Sequence, residues 1–203
     1  DVLGQFAVEF LPAALVDPGQ QVGGAAAPDR AGAEQRRRLV LAVPVDGDGV
    51  GGVAGEQLTA EIARALGAAF ADVLEESELI VAHDMRLSSP ELSRAVIEGA
   101  VRRGAIVADA GLSSTDQLYC ASGLHRAAGL MITASHNPAP DNGIKFFARG
   151  GTKLPDEVED AIEARLGEQW ERPQGTDVGT ITRYEGAIEE YVTHLVGTLD
   201  RSL

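Results

Sequence analysis

The chain has 203 residues, 44% of them hydrophobic, which is enough to bury the core of one or two domains. Its 17 basic and 31 acidic residues give a formal net charge of -14, which disfavours a nucleic-acid partner because phosphate backbones are bound by clustered lysine and arginine. The sequence contains no run of about 18 apolar residues, so no membrane span is expected. The single cysteine, Cys120, excludes an intrachain disulfide; we interpret it as a buried, unreactive thiol and expect a cytoplasmic protein.

The first 44 residues differ in composition from the rest. Residues 19–33 are almost entirely Gly, Ala, Gln and Pro and show no apolar period, which is typical of a loop or a disordered segment. The apolar run at 39–45 could form a strand, although Pro44 weakens its end. We therefore predict an irregular low-complexity leader over 1–44 and a structured domain over 45–203.

Downstream of the leader, helical and strand patterns alternate. Apolar residues recur at helical spacing over four turns in the first of these helices, and the strands between the helices are short apolar runs. This alternation predicts a three-layer α/β/α sandwich with a mixed, mostly parallel sheet covered on both faces. The predicted helices are 59–74, 89–104, 115–126, 155–166 and 184–199, with Ser89 as the cap of the second. The predicted strands are 79–82, 105–108, 129–132 and 143–148, and 170–180 is predicted to be a connector.

A serine follows the strand at 129–132, within the segment Thr133–Pro138. Pro138 disfavours helix at Asn137, so the segment is predicted to be a tight loop that presents Ser135 at the end of the strand, a good position for group transfer. If the segment is extended, neighbouring side chains point to opposite sides, and His136 is then poorly placed to deprotonate Ser135. That geometry, with no Gly-x-Ser-x-Gly elbow in the segment, argues against a Ser-His-Asp hydrolase. A simple turn stabilised by Ser135 and Asn137 is the structural alternative.

Two further segments carry candidate site residues. Asn142-Gly143 is predicted to be a hairpin-type turn, followed by Lys145 on a strand, where its ammonium could assist a phosphate or carry a proton. Asp84 and Arg86 lie in a polar loop at the carboxyl end of another strand, where ligands bind in open α/β sheets. Arg86 could hold a phosphate with two parallel hydrogen bonds, or form a salt bridge to Asp84 within the loop.

Together, these segments resemble the α-D-phosphohexomutase family, which includes phosphoglucomutases, phosphomannomutases and phosphoglucosamine mutases. Thr133–Pro138 is similar to the family's active-site serine signature, and Lys145 lies at the usual distance after it. The polar loop at 83–90 resembles the family's upstream loop. The resemblance covers roughly 46–203.

The resemblance implies a phosphoserine enzyme that interconverts hexose or hexosamine 6-phosphate and 1-phosphate. Ser135 would carry the phosphoryl group and, through it, bind Mg²⁺, while His136 and Lys145 would handle protons. The implied partners are a small sugar phosphate and domains II–IV of the same enzyme. The substrate or its phosphate would be supported by Asp84, Arg86 and Asn137.

The sequence also departs from the family pattern. Gly51 stands where the family has an arginine that supports the active-site loop. The family's metal loop, Asp-Gly-Asp-x-Asp-Arg, belongs to its second domain; residues 46–49 imitate only its start and are interpreted as a turn. We expect the chain to be domain I, ending near the start of domain II and having little activity alone. The alternative is a non-catalytic domain that binds a phosphosugar or another protein.

Overall fold

The computed structural model describes residues 49–74, 78–166 and 173–199. The predicted leader at 1–44 and the possible strand at 39–45 lie outside these residues. So does the predicted turn that begins at Asp46, apart from its last residue.

Regular elements alternate along the described chain, as the sequence pattern predicts. The strands are β1 (Gly49–Val53), β2 (Glu78–His83), β3 (Ile106–Leu112), β4 (Ala128–Ile132), β5 (Asp141–Ala148), β6 (Thr152–Lys153) and β7 (Ile181–Arg183). The helices are α1 (Ala60–Leu74), α2 (Ser89–Val101), α3 (Thr115–His125), α4 (Asp156–Arg165) and α5 (Ala187–Thr198). A short 3₁₀ helix covers Gly175–Asp177 within the part of the predicted connector that is described.

The strands form one sheet in the order β1-β5-β4-β2-β3-β7, with β6 also paired to β5. β4, β2, β3 and β7 are parallel neighbours, whereas β5 is antiparallel to β4, β1 and β6. It follows that β1 and β6 run in the same direction as β4, and that β5 alone among the described strands runs the opposite way. The predicted mixed, mostly parallel sheet is confirmed.

Both faces of the sheet are covered, because successive strand side chains point to opposite sides. In β2, Leu79 and Val81 join the larger core cluster, which also contains residues of α1, α2 and α4. Ile80 and Ala82 point the other way and join a smaller cluster with Leu118 of α3. The predicted three-layer α/β/α sandwich is confirmed. No helix in the described ranges has the length and apolar character needed to cross a membrane.

The prediction that Ser89 caps α2 is wrong. The helix begins at Ser89 itself, Ser88 occupies the cap position, and neither side chain makes a capping hydrogen bond. The hydroxyl of Ser89 instead donates to Asp84 Oδ1 at 2.5 Å. A carboxylate five residues earlier in the chain therefore takes the hydroxyl in place of the helix backbone.

The sequence pattern also misses β7 and places the start of α5 too early. β7 has three residues, too few to show a period, and Ile181 is exposed on it. Tyr184, the predicted helix start, donates its backbone N–H to the Asp109 carbonyl at 2.9 Å, which extends the strand pairing and delays the helix to Ala187.

The sheet order places two loops side by side. β2 and β4 are parallel neighbours, and their last residues, His83 and Ile132, are register partners. The loops that begin at Asp84 and Thr133 therefore leave the same edge of the sheet together. The Asp84 backbone N–H donates to the Ile132 carbonyl at 3.0 Å, which joins the first residue of one loop to the last residue of the strand before the other.

Candidate active site

Ser135 is held in a left-handed backbone conformation at the exposed tip of its loop. Its φ is 51°, which is uncommon for a residue with a side chain. The strain is supported locally, because the Ser135 backbone N–H donates to Thr133 Oγ1 at 2.9 Å. The Asn137 N–H closes the next turn onto the Ala134 carbonyl at 2.9 Å. The predicted tight loop is present, but its serine is not extended.

The expected separation of Ser135 and His136 is therefore wrong. Ser135 Oγ lies 3.3 Å from His136 Nδ1, because the left-handed residue turns two consecutive side chains toward each other. No carboxylate bonds to His136 among the described residues. A Ser-His pair without an orienting carboxylate lacks the third member of a hydrolase triad.

Asp84 is a hydrogen-bonding centre beneath the serine loop. One carboxylate oxygen accepts from Ser89 Oγ and, at 3.0 Å, from the Arg86 backbone N–H. The other accepts from Thr133 Oγ1 at 2.8 Å. Because Thr133 Oγ1 also accepts from the Ser135 N–H, two consecutive hydrogen bonds connect the Asp84 carboxylate to the Ser135 backbone.

Arg86 binds the serine loop through backbone carbonyls. Its Nη1 donates to the carbonyls of Pro138 at 2.8 Å and Asp141 at 3.0 Å, and its Nη2 to those of Ser135 at 2.9 Å and Asn137 at 2.8 Å. Its Nε lies 3.4 Å from Asp84 Oδ2, which occupies the remaining edge of the guanidinium. The two-bond grip on a phosphate stays a prediction, and it would require Arg86 to release carbonyls that it binds in this structure. The predicted salt bridge to Asp84 is present.

Asn142 connects β5 to the start of α2 and is fully buried. Its Nδ2 donates to Ser88 Oγ at 2.8 Å and to Ser89 Oγ at 2.9 Å, while its Oδ1 accepts from the Gly143 N–H at 2.8 Å. The predicted hairpin turn at Asn142-Gly143 is wrong, because both residues lie within β5 and pair with β1. The chain turns earlier, where the Asp141 N–H donates to the Pro138 carbonyl at 3.0 Å.

Glycine at 143 is required by the close approach of β5 to the serine loop. A Cβ at this position would lie 2.7 Å from the Thr133 carbonyl oxygen. The opposing residue on β1 is Gly51, where a Cβ would meet only ordinary contacts, the nearest at 3.4 Å from the Asn142 carbonyl oxygen. The backbone at position 51 therefore leaves room for a Cβ. In this chain no side chain is present there, and the serine loop is held through Arg86.

The other predicted site residues lie at the same edge of the sheet or beside it. Lys145 is half-buried on β5 opposite Met131, and no described side chain pairs with it. Asn137 contributes its backbone to the loop and has an exposed side chain.

Cys120, predicted to be buried, is half-buried on α3; burial and the Glu190 carboxylate raise the pKa of its thiol, which favours the unreactive form.

Two residues of this network carry contacts that the sequence reasoning did not assign. Thr133 was interpreted only as part of a motif, although a threonine two residues before a turn is a common acceptor for a backbone N–H. Asn142 was assigned to a turn because it precedes glycine, a dipeptide typical of hairpins. Only its complete burial shows that its amide must be paired inside the protein.

This arrangement defines an α/β/α domain that presents a rigidly held serine at the carboxyl edge of its sheet. The family model described as "Phosphoglucomutase/phosphomannomutase, alpha/beta/alpha domain I" matches residues 45–172. The chain therefore belongs to the phosphoglucomutase/phosphomannomutase family and contains its domain I.

Individual relatives agree with this family. A phosphoglucosamine mutase from Paenarthrobacter aurescens (strain TC1) is 49% identical over 165 residues, which are 77% of this chain and 36% of that protein. One from Arthrobacter sp. (strain FB24) is 48% identical over 165 residues, with the same coverage. The crystal structure of a phosphoglucomutase/phosphomannomutase family protein from Burkholderia thailandensis superposes with a TM-score of 0.65 at 27% identity, and covers 80% of this chain and 36% of that one. The chain thus spans about a third of the length of these relatives.

Proposed function

We propose that this chain is the serine-bearing domain of a phosphohexomutase that acts on a hexosamine phosphate, with Ser135 as the phosphoryl carrier. The observation that carries the proposal is the serine loop itself: an exposed hydroxyl on a strained backbone, fixed from below by Thr133, Asp84 and Arg86. Phosphoryl transfer depends mainly on positioning and charge stabilisation, so a fixed oxygen is what the reaction requires of this domain. The names of the relatives support the hexosamine substrate.

The proposed reaction has two balanced halves. First, the bond between Ser135 Oγ and phosphorus breaks while a sugar hydroxyl oxygen bonds to the same phosphorus, and the proton of that hydroxyl passes to Ser135 Oγ. The second half runs in reverse with the other phosphate of the bisphosphate intermediate. Two described groups are candidates to carry the proton. His136 Nδ1 is 3.3 Å from Ser135 Oγ, and Lys145 lies on β5 opposite Met131, the residue before the last of β4.

The described residues do not by themselves make a magnesium site. They contain no cluster of three or more His, Cys, Asp or Glu residues able to hold a metal ion. The nearby carboxylate of Asp84 is already engaged by Ser89, Thr133 and Arg86. A phosphoryl group on Ser135 would add oxygen ligands of the kind that Mg²⁺ prefers, and the other ligands would have to come from outside the described residues. The second candidate, a domain that binds a phosphosugar without turning it over, is favoured by Gly51, which stands where the family has an arginine that supports the active-site loop.

Phosphoryl loading of Ser135 tests the proposal directly. The full-length protein is incubated with a hexosamine 1,6-bisphosphate and its intact mass is measured, alongside Ser135→Ala and a control, Ser113→Ala. Ser113 follows the adjacent strand β3 at the same edge, where its N–H donates to the His83 carbonyl. The wild type and Ser113→Ala should each gain one phosphoryl group, and Ser135→Ala none.

Turnover separates the two candidate functions. The enzyme proposal requires the wild type to interconvert glucosamine 6-phosphate and glucosamine 1-phosphate, with activity lost in Ser135→Ala. Binding of either sugar phosphate without loading or turnover would support the non-catalytic alternative. Loading of the Ser135→Ala variant would show that the carrier is a different residue.

A further inference from the structure

The Arg86 guanidinium lies under the exposed serine loop and is surrounded by oxygen atoms. The Arg86 side chain is only 13% exposed, although it lies beneath a loop whose residues 135–140 are all exposed. Four carbonyl oxygens, from Ser135, Asn137, Pro138 and Asp141, converge on its two terminal nitrogens. The sequence separations of 49 to 55 residues make this a tertiary contact and not a local turn.

We propose that Arg86 is a positioning residue: an internal cation that holds the serine loop in the conformation from which Ser135 accepts and gives a phosphoryl group. The proposal rests on the proposed function for its catalytic part and on the loop geometry for its structural part. Asp84 serves Arg86 by fixing its backbone and the Nε edge of its guanidinium.

Besides its own turn hydrogen bonds and the Thr133–Asp84 contact, the exposed part of the loop has no apolar anchor among the described residues. Its side chains from Ser135 to Pro140 are exposed, so no apolar core holds them. Converging carbonyl dipoles repel one another, and they would also repel the negative charge of a phosphoryl group on Ser135. A guanidinium offers donors in a planar fork and a permanent positive charge, and thus offsets both effects.

Direct binding of a phosphate by Arg86 is the competing role. It would need at least two free N–H groups on one edge of the guanidinium. Here both terminal nitrogens donate to two carbonyls each, and the Nε edge faces Asp84. Arg86 could reach a phosphate only by releasing the loop that carries Ser135.

The test compares Arg86→Ala and Arg86→Lys with Arg94→Ala in the full-length protein. Arg94 is an exposed arginine on α2 and has no role in the site. Hydrogen exchange of the amides at 133–141 reports the loop without reference to activity. Steady-state kinetics with glucosamine 1-phosphate report the catalytic consequence, with and without added guanidinium chloride at concentrations far below those that unfold proteins; ammonium chloride serves as the salt control.

We expect faster exchange at 133–141 in both Arg86 variants. In Arg86→Ala, kcat should fall on the order of 100-fold while KM changes less than about threefold, because misplacing a reacting group by about 1 Å can cost that much in rate. Guanidinium, but not ammonium, should restore slow exchange and about a tenth or more of the lost rate. Arg86→Lys should keep the positive charge but lose the planar set of N–H donors. Added guanidinium should therefore restore less of its lost rate and slow exchange than in Arg86→Ala.

Other outcomes would overturn the proposal. A raised KM with unchanged kcat and unchanged exchange would make Arg86 a substrate ligand. Unchanged exchange in Arg86→Ala would remove the positioning role whatever the kinetics show. A wild-type protein that never loads Ser135 would instead refute the proposed function, while the exchange data would still decide whether Arg86 holds the loop.

Discussion

The serine loop and helix α5 are anchored in opposite ways. The loop at 133–140 has no regular secondary structure, yet half-buried Arg86 binds its backbone through the carbonyls of Ser135, Asn137 and Pro138, and half-buried Asp84 accepts from its Thr133 hydroxyl. α5 is a regular helix, yet Ala187 is its only buried residue among those described, and its larger apolar side chains are exposed. Regular secondary structure is therefore a poor guide to how firmly a segment of this protein is held.

α5 is attached mainly through a small polar cluster. Tyr184 Oη donates to the Glu190 carboxylate and lies 2.6 Å from His125 Nε2 on α3, with the two rings packed edge to face. Burial and the bond to Glu190 raise the pKa of the Tyr184 phenol above its usual value. The serine loop is thus held by several bonds from the Arg86 side chain to backbone carbonyls, whereas α5 is held by one cluster of three side chains.

Removal of the Asp84 carboxylate, at the centre of the hydrogen bonds beneath the serine loop, should have the largest effect on stability. In Asp84→Ala, Arg86, Ser89 and Thr133 lose a partner, and we expect the free energy of unfolding to fall by about 3 kcal/mol. Urea unfolding measures it, with exposed Asp160→Ala on α4 as the control, expected within about 0.5 kcal/mol of the wild type. Equal stability of the two variants would mean that the network contributes little.

Glycine at position 135 should stabilise the fold while removing function. A left-handed residue with a Cβ costs roughly 1 kcal/mol, which Ser135→Gly removes. We expect the free energy of unfolding to rise by about 1 kcal/mol in Ser135→Gly but not in Ser135→Ala, with neither variant accepting a phosphoryl group. Arg126→Gly, at the other described non-glycine residue with positive φ, should show a similar gain. If the two position-135 variants were equally stable, the backbone there would not be strained.

Loss of the Tyr184 hydroxyl should loosen α5 without affecting the serine loop. We expect Tyr184→Phe to lower the free energy of unfolding by about 1 kcal/mol and to speed exchange at 187–198, while exchange at 133–141 stays unchanged. Because the folded-state pKa is raised, ionisation favours unfolding, so wild-type stability should decline as the pH rises above about 10. That part of the decline should be missing in Tyr184→Phe. Faster exchange in both segments would show that the two regions are coupled.

The smallest effect is expected on the exposed face of α5. Leu195 is 44% exposed, so Leu195→Ala should change the free energy of unfolding by less than about 0.5 kcal/mol in urea titrations. The same substitution at Leu66 of α1, which is fully buried, should cost at least about 2 kcal/mol. A large loss at Leu195 would reveal packing on this face that the described residues do not show.

Local patterns were enough to predict most of the architecture. The helical spacing within 59–74 and the apolar run at 79–82 each determine which faces must be buried, and the alternation of such segments predicts the layered sheet. The serine motif at 133–138 likewise predicts a loop at the end of a strand. These features depend on neighbouring residues, so the amino-acid order alone carries them.

The details of the site depend on contacts that sequence spacing does not encode. Asn142-Gly143 has the composition of a turn, but pairing with β1 places it in a strand. Ser89 has the position of a helix cap, but Asp84 takes its hydroxyl. For Asn142, a local turn preference competes with distant, buried hydrogen bonds that are costly to leave unmade; for Ser89, a capping preference of about 1 kcal/mol competes with a carboxylate five residues earlier in the chain.

The sequence by itself determined the α/β/α fold, the order of most elements and the serine that we propose as phosphoryl carrier. Only the tertiary structure decided that Ser135 is left-handed, that it faces His136, and that the Arg86 side chain binds the carbonyls of the serine loop. For Arg86, the physical reason is distance along the chain. The period of apolar residues is read over a few neighbours, whereas the Arg86 contacts join residues 49 to 55 positions apart and exist only once β2 and β4 are adjacent.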